Sequence, residues 1–405
     1  MDDHNAAQPV PVTYLPHQIE TSDKCAAVLK DKHVCLLQGE MRTGKTRTAL
    51  RTLDLLGAKR PLIVTKKAAI GGWLSEIEAT GYGNAYVTNF EQCAKLSADD
   101  YDFVVVDESH AVSRPGKPTQ RWKHLARITR GKGVLLMTGT PSTESLLQLF
   151  YQFALSSWSP LRRYKNFYEF FRQWGIPAQI RLNGRWIEQY KKARPELLDR
   201  MEPWIVTLTQ DQAGITHKAV DKVHTVALGD ATKGLIATIQ RDKVATLAPG
   251  VMFAAESDMA ERVAIHQIEV GAVLVDEQLI DLPNTEVIDY IKKTWGDSEG
   301  LALMAHFRST RMKLEKHFPK ASIFSSVAHA EGVSLADFEH FVIVNSDYSG
   351  AKFVQRRDRG VNLNKRTDAV VNHIVTDGGV SKYVYTAVSK KLDFTLQNYR
   401  RLRAV

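Results

Sequence analysis

Short, continuous runs of apolar residues recur through the first half of the chain and predict the strands of a buried sheet. The runs are Val34 to Leu37, Leu62 to Thr65, Phe103 to Val106 and Val134 to Met137, bounded by Gly, Pro or Asp breaks. Continuous rather than alternating runs are typical of parallel strands whose two faces are both covered by helices. A helix is predicted after the first run, from about Thr46 to Leu56.

The second half of the chain repeats this style. Four runs predict strands: Leu301 to Ala305, Ser322 to Phe324, Phe341 to Val344 and His373 to Val375. Three segments predict helices: Glu286 to Lys293, Arg308 to His317 and Ala260 to Val270. We therefore expect an α/β fold of two parallel-sheet lobes, residues 1–205 and 206–405.

A stretch of different composition, residues 158–200, precedes the predicted boundary. It contains ten basic and four acidic side chains, with nine aromatic residues among them. Phe167, Phe170, Phe171 and Trp174 recur at helical spacing, which predicts a helical insertion. Such a stretch either binds nucleic acid through cations and rings or packs its rings and leaves a solvated basic face. Its candidate nucleic-acid contacts are Arg162, Arg163 and Lys165.

Composition and charge indicate a globular chain with an anionic partner. The 405 residues have 44% hydrophobic and 24% charged side chains, and the formal net charge is +9. That charge favours nucleic acid first and an anionic membrane surface second. Three cysteines exclude a disulfide scaffold, and none has zinc-like spacing. The acidic start and the lack of an apolar run of about 18 residues predict a soluble, cytoplasmic protein without a membrane span.

The segment from Gly39 to Thr46 matches the phosphate-loop pattern GxxxxGK(S/T) between a predicted strand and a predicted helix. Its glycines let backbone N–H groups point at phosphate oxygens, and the helix adds its positive N-terminal end. Lys45 is expected to reach the β- and γ-phosphates, and the Thr46 hydroxyl to bind Mg²⁺. The remaining candidate nucleotide-binding residues of the loop are Gly39, Met41, Arg42, Thr43 and Gly44.

A second acidic cluster, Asp107-Glu108-Ser109-His110, follows an apolar strand. Asp107 is placed to hold Mg²⁺, directly or through water. Glu108 is placed to orient and deprotonate an attacking water. His110 lies one step further and is expected to sense the nucleotide.

These motifs resemble those of superfamily 2 helicases. The order GEMRTGKT, DESH, Thr138-Gly139-Thr140-Pro141 is similar to that of the Swi/Snf-like branch and its compact bacteriophage relatives. Tyr14 to Gln18 resembles the adenine-reading segment, with Gln18 as its glutamine. Two further segments resemble those that contact the nucleic-acid backbone, which implies contacts from Lys66, Lys67 and Asn89.

The resemblance continues into the second half of the chain. Leu301 to Arg308 looks like the first conserved strand of that lobe, and Ala330 to Leu335 resembles the segment that couples nucleic acid to ATP. Gln355 to Arg359 resembles the QxxDR opening of the final motif. The implied roles are an arginine finger at Arg359 with Arg356 in reserve, nucleotide binding at Gly332 and Arg356, and a nucleic-acid contact at Arg308. Coupling roles are implied for His110, Thr138, Thr140 and Gln355.

Two positions depart from the family pattern. Arg42 stands where this branch usually has Gly, and Asn362 stands where the family places its second, outer arginine.

The resemblance implies two RecA-like lobes, with ATP and Mg²⁺ in the cleft between them and DNA running across both. It implies an ATP-dependent DNA helicase or translocase, expected to be a monomer. Two alternatives remain open. The TGTP segment and the basic insertion favour DNA over RNA, but an RNA-directed helicase fits the same motifs. Asn362 favours a nucleic-acid clamp that is gated by ATP and does not translocate.

Overall fold

The computed structural model describes residues 13–139, 145–182, 185–215, 219–326, 335, 338–346, 348, 353, 356–357 and 368–390. The chain divides near residue 216 into two compact units. Each unit contains a parallel sheet with helices, which confirms the predicted α/β class.

The first unit is built on a six-stranded sheet in which all neighbouring strands are parallel, in the order β3-β2-β4-β5-β1-β8. Its elements are α1 (Pro16–Lys32), β1 (Val34–Gly39), α2 (Lys45–Leu55), β2 (Pro61–Thr65), α3 (Ile70–Thr80), β3 (Tyr86–Asn89), β4 (Phe103–Val106), α4 (Gln120–Thr129), β5 (Gly133–Thr138), α5 (Leu149–Phe153), α6 (Phe167–Trp174), β6 (Gly175–Leu182), β7 (Arg185–Ala193), α7 (Glu196–Met201) and β8 (Ile205–Leu208).

The core of this unit lies on both faces of the sheet. Along β1, Val34 and Leu36 join one apolar cluster, while Cys35 and Leu37 join the cluster on the opposite face. Successive strand residues point to opposite faces, so a strand that is covered on both sides must be apolar at every position. This explains the continuous runs in the sequence. Strand β8 pairs with β1, so the first unit continues about ten residues past the boundary predicted near residue 205.

The region between residues 158 and 200 differs from the expected helical insertion. Among its described residues, only those of α6 and the short α7 are helical, and between these helices β6 and β7 form an antiparallel hairpin. The periodic aromatics do pack together as predicted: Phe167, Phe170 and Phe171 are buried in α6, with Trp174 packed against them. The sequence signal for the hairpin is Asn183-Gly184, a pair favoured in two-residue hairpin turns.

The second unit contains a five-stranded parallel sheet in the order β15-β14-β16-β17-β9 and two small antiparallel pairs, β10 with β11 and β12 with β13. Its elements are β9 (Ala219–Ala227), α8 (Asp230–Asp242), β10 (Val244–Ala248), β11 (Val251–Ala254), α9 (Asp258–Ile268), β12 (Ala272–Val275), β13 (Gln278–Asp281), α10 (Glu286–Trp295), β14 (Leu301–Ala305), α11 (Arg308–His317), β15 (Ser322–Ser325), β16 (His340–Asn345), β17 (Ala369–Asp377) and α12 (Ser381–Lys390).

The three cysteines are free and buried. Among the helices of the described residues, none combines the length and apolar character that a membrane crossing requires.

Candidate functional site

The sheet order of the first unit gathers three sequence motifs at one edge. The phosphate loop follows β1, the DESH segment follows β4, and Thr138 ends β5, which lies between those two strands. The carboxyl ends of parallel strands meet at one edge of a sheet, where ligands of open α/β sheets bind. A Cβ atom at Gly139, just after β5, would lie 3.4 Å from the Gly39 carbonyl oxygen, which shows how closely β5 approaches the phosphate loop.

The phosphate loop is tightly folded. Arg42 has φ 66° and Gly44 has φ 78°, so the backbone enters the left-handed region twice before α2 begins. The Thr43 hydroxyl donates to the Glu40 carbonyl oxygen at 2.8 Å. A Cβ atom at Gly39 would lie 2.5 Å from Cγ of Lys45, so the lysine stem crosses a space that only glycine leaves open. Backbone in alternating right- and left-handed conformations forms an anion-binding concavity.

Helix α1 holds this loop from one side. His17 Nε2 lies 3.1 Å from the Thr43 carbonyl oxygen. Gln18 Oε1 accepts a hydrogen bond from the Leu15 backbone N–H at 3.0 Å, and its amide lies against Gly44. The predicted adenine-reading glutamine therefore packs on the phosphate loop. The contact from His17 was not predicted from the sequence.

Gln210, which follows β8, holds the loop from a second side. Its backbone N–H donates to Glu40 Oε2 at 2.7 Å, and its side-chain amide donates to the Met41 carbonyl oxygen at 3.1 Å. The sequence gives no signal for this residue, because it is 169 positions from Met41 along the chain.

Lys45 begins α2 and lies between the loop and the acidic cluster. Its Nζ donates to the Glu40 carbonyl oxygen at 2.9 Å. Burial lowers the pKa of Lys45, while the carboxylates of Glu108, Asp107 and Glu40 oppose that shift. Those three carboxylates therefore offset part of the cost of burying the ammonium group.

Asp107 is held in a fixed orientation by three donors. The Thr65 hydroxyl and the Trp73 indole N–H donate to Oδ2 at 2.8 and 3.0 Å, and the Glu108 backbone N–H donates to Oδ1 at 2.9 Å. Thr65 ends β2, and Trp73 lies in α3. Neither of these two buried residues was predicted as part of the ATP site. Thr65 does lie in the segment Val64 to Lys67, which resembles one that contacts the nucleic-acid backbone, whereas no local motif marks Trp73.

Glu108, His110 and Thr138 form a contiguous polar cluster. Glu108 has φ 51°, and its Oε2 lies 3.2 Å from His110 Nδ1. The Thr138 hydroxyl lies 2.9 Å from the same nitrogen. Burial, together with the nearby cation of Lys66, lowers the pKa of His110 to about 4. The imidazole is therefore neutral at pH 7, and it joins the DESH segment to the end of β5.

The residues at this edge fit a magnesium nucleotide. No cluster of three or more His, Cys, Asp or Glu side chains forms a metal site within the described residues. A phosphate-loop Mg²⁺ does not need one, because a hydroxyl, a carboxylate, waters and phosphate oxygens complete its coordination. Thr46 in the first turn of α2 and the oriented Asp107 are donors of that type.

The predicted nucleic-acid contacts of the first unit occupy different environments. Lys67 is exposed, whereas Lys66 is half-buried and close enough to affect His110. Asn89 uses its Oδ1 to accept the backbone N–H groups of Glu91 and Gln92, both at 3.1 Å. The Asn89 side-chain oxygen therefore stabilises the turn that follows β3.

The three basic candidates before α6 lie on the surface. Arg162 donates to the Ser157 carbonyl oxygen at 2.7 Å, and Arg163 lies over the Tyr164 ring with its guanidinium carbon 4.8 Å from the centroid. Lys165 is exposed. All three cations remain accessible to a phosphate backbone.

In the second unit, the described arginines of the final motif are engaged within that unit. Arg356 is fully buried, and its Nε and Nη2 donate to the Ser326 carbonyl oxygen at 3.1 and 2.9 Å. Arg357 forms an ion pair with Asp221 at 2.7 Å. Arg308 is exposed at the start of α11. The remaining predicted site residues lie outside the described residues: Thr140, Gly332, Gln355 and Arg359.

Comparison with known proteins adds no assignment: neither the family models nor the curated proteins contain a match to this chain.

Proposed function

We propose that this chain is an ATP-dependent DNA helicase or translocase with two RecA-like lobes, which hydrolyses ATP to move along DNA. The observation that carries the proposal is the edge of the first sheet. There a phosphate loop with its lysine, an oriented aspartate and a glutamate from a separate strand lie together. This set of side chains suits phosphoryl transfer to water, in which catalysis is mostly positioning and electrostatic stabilisation.

Each residue of this edge has a role that follows from its chemistry. Lys45 binds the β- and γ-phosphates with its ammonium group. Thr46 and Asp107 would hold Mg²⁺, and the bound ion would neutralise charge on the phosphate oxygens. Glu108 accepts hydrogen bonds from the attacking water and takes its proton.

The link from Glu108 through His110 to Thr138 supports a coupling role. Thr138 ends the strand next to β4, so a displacement at the end of β5 changes the position of the His110 ring. That ring contacts Glu108. Nucleic acid bound near the segment after Thr138 would therefore change the orientation of the proposed base.

The second unit supplies the proposed arginine finger. Arg356 and Arg357 both bind groups of their own unit, which favours Arg359 over the reserve Arg356. The role of Arg359 rests on the sequence motif alone.

DNA as the proposed partner is supported by charge. The formal net charge of +9 and the surface cations Lys67, Arg162 and Lys165 suit a phosphate backbone. A motor that follows any sequence must read phosphates rather than base edges.

A stimulation panel tests the proposal. ATP turnover is measured with duplex DNA, single-stranded DNA and RNA, and Lys45→Ala is the inactive control. We expect DNA to raise turnover strongly and RNA to do so weakly. Stimulation by RNA alone would support the RNA-directed alternative. A strand-displacement and a triplex-displacement assay then separate a motor from a clamp, since a clamp binds DNA with ATP but displaces neither.

A further inference from the structure

The hairpin β6–β7 has a firmly held base. At that end, Tyr190 packs edge-on against Phe171, Phe167 and Tyr168, with ring centroids 4.8, 5.5 and 5.9 Å apart. The Arg194 backbone N–H donates to the Trp174 carbonyl oxygen at 2.7 Å. These contacts anchor the base of the hairpin to α6.

The outer part of the hairpin exposes large apolar side chains. Trp186 is 66% exposed and Ile187 44% exposed, and both lie within two residues of the start of β7. Successive strand residues point to opposite faces, so each face of the hairpin has an exposed apolar side chain near the start of β7. The ring contacts that anchor β7 are at Tyr190, four residues from Trp186, and they leave the Trp186 ring exposed.

The charge of the hairpin selects the type of partner. Residues 175–194 carry five basic side chains and one acidic side chain. Lys192 and Arg194 are exposed. In the strand register Trp186 pairs with Arg181, and Arg185 directly precedes it, so two of the five basic residues flank Trp186. An exposed indole with basic residues next to it is the combination found where single-stranded nucleic acid binds, with bases stacked on rings and phosphates near cations.

We propose that the hairpin β6–β7 is a binding site for unpaired bases of single-stranded DNA and that Trp186 stacks on one base. Duplex DNA does not offer this contact, because the faces of its bases are already stacked on their neighbours. The inference rests on the proposed function and extends it, since it names single-stranded DNA as a ligand of a specific element outside the ATP site.

The test measures affinity for a fluorescently labelled single-stranded oligonucleotide and for an abasic oligonucleotide of the same length, over a series of salt concentrations. The variants are Trp186→Ala, Trp186→Phe and the control Tyr383→Ala, which removes a 70% exposed ring from the second unit. We expect Trp186→Ala to weaken binding of the normal oligonucleotide about 10-fold, within the range for loss of one stacked base. Trp186→Phe should retain most of the wild-type affinity, and Tyr383→Ala should bind the oligonucleotide as tightly as the wild type.

The abasic oligonucleotide separates stacking from charge. Wild type and Trp186→Ala should bind it equally, and the dependence on salt should be the same for both proteins, because an indole releases no counterions. Equal binding of the normal oligonucleotide by wild type and Trp186→Ala would overturn the proposal. An equal loss on the abasic oligonucleotide or on duplex DNA would overturn it as well. The ATPase of Trp186→Ala without DNA reports separately on the proposed function and should be unchanged.

Discussion

Two residues at the candidate ATP site, Arg42 and Glu108, adopt backbone conformations that suit glycine. Their φ values are 66° and 51°. A left-handed conformation costs a residue with a Cβ atom about 1 kcal/mol, and such strain collects at functional sites. Arg42 therefore adopts the left-handed conformation at a position where the motifs that this loop resembles have Gly. Its cation also adds to the effect of burial in lowering the pKa of Lys45.

Arg42→Gly should raise the free energy of unfolding by about 0.5–1 kcal/mol, because glycine adopts the left-handed conformation freely. Urea denaturation measures the change. The matched control is Arg42→Ala, which removes the same cation but keeps the strained Cβ atom, and it should give no such gain. Equal stability of the two variants would show that charge rather than backbone strain governs this position.

The buried His110 should make stability depend on pH. Its pKa is about 4 in the folded chain and about 6.5 when exposed, so between these values the unfolded chain binds a proton that the folded chain does not. Stability from this group is complete above about pH 6.5 and is lost as the pH falls towards 4, at up to about 1.4 kcal/mol per pH unit.

Unfolding free energies measured between pH 7 and 5 check this expectation. His110→Gln should reduce the slope of unfolding free energy against pH by an amount that corresponds to close to one bound proton. Burial lowers the pKa of His266 to about 3, so this residue contributes a pH dependence of the same sign. That contribution should remain in the His110→Gln variant. An unchanged slope in His110→Gln would mean that the imidazole is accessible to protons in the folded state.

At the scale of elements, the central strands of both parallel sheets could be predicted from the sequence, whereas β15 alone among their edge strands was predicted. Strands β4 and β14 have the predicted bounds, because every position faces a covered surface. Strands β3 and β9 lie at sheet edges and have exposed side chains, so their sequences contain no continuous apolar run. An edge strand pairs with only one neighbouring strand, so polar side chains are tolerated along it.

The same reasoning explains which parts of the site could be predicted. The phosphate loop and the DESH segment are local in sequence, so their spacing carries the information. Trp73 and Gln210 reach the site only through the fold, since one lies in α3 and the other follows β8. Contacts of this kind depend on the strand order, which no local pattern specifies.

The basic elements of the first unit should determine how DNA binding depends on salt. Affinity should fall with a log–log slope of about −0.9 per neutralised phosphate on duplex DNA. Replacing Lys66 and Lys67 with alanine should flatten that slope, and replacing Arg162, Arg163 and Lys165 should flatten it in a second variant.

DNA affinity against salt concentration, for wild type and both variants, is the measurement. ATP binding without DNA should survive both changes, because none of these residues belongs to the phosphate loop. If the variant of Arg162, Arg163 and Lys165 has the same salt dependence of DNA affinity as the wild type, these three side chains face solvent and do not contact DNA phosphates.

At the scale of the whole molecule, the proposal requires residues of both units to act on one nucleotide. Arg359→Ala should leave ATP affinity nearly intact and lower turnover by about 10³-fold, as expected for an arginine finger. Arg356→Ala should instead lower stability by about 1–3 kcal/mol, because it leaves the buried Ser326 carbonyl oxygen without these two donors. The arginine finger would be Arg356 instead if Arg359→Ala kept normal turnover while Arg356→Ala was stable but lost turnover.

The central claim is that the edge of the first sheet hydrolyses ATP in response to DNA. Phosphate release by wild type and Glu108→Gln, each with and without single-stranded DNA, tests it most directly. Glutamine keeps the size of the side chain and its place beside His110, but it cannot take a proton from water. The account predicts DNA-stimulated release by wild type and a loss of at least about 100-fold in Glu108→Gln, with ATP binding retained. Near-normal release by Glu108→Gln, or release by wild type that DNA does not change, would contradict it.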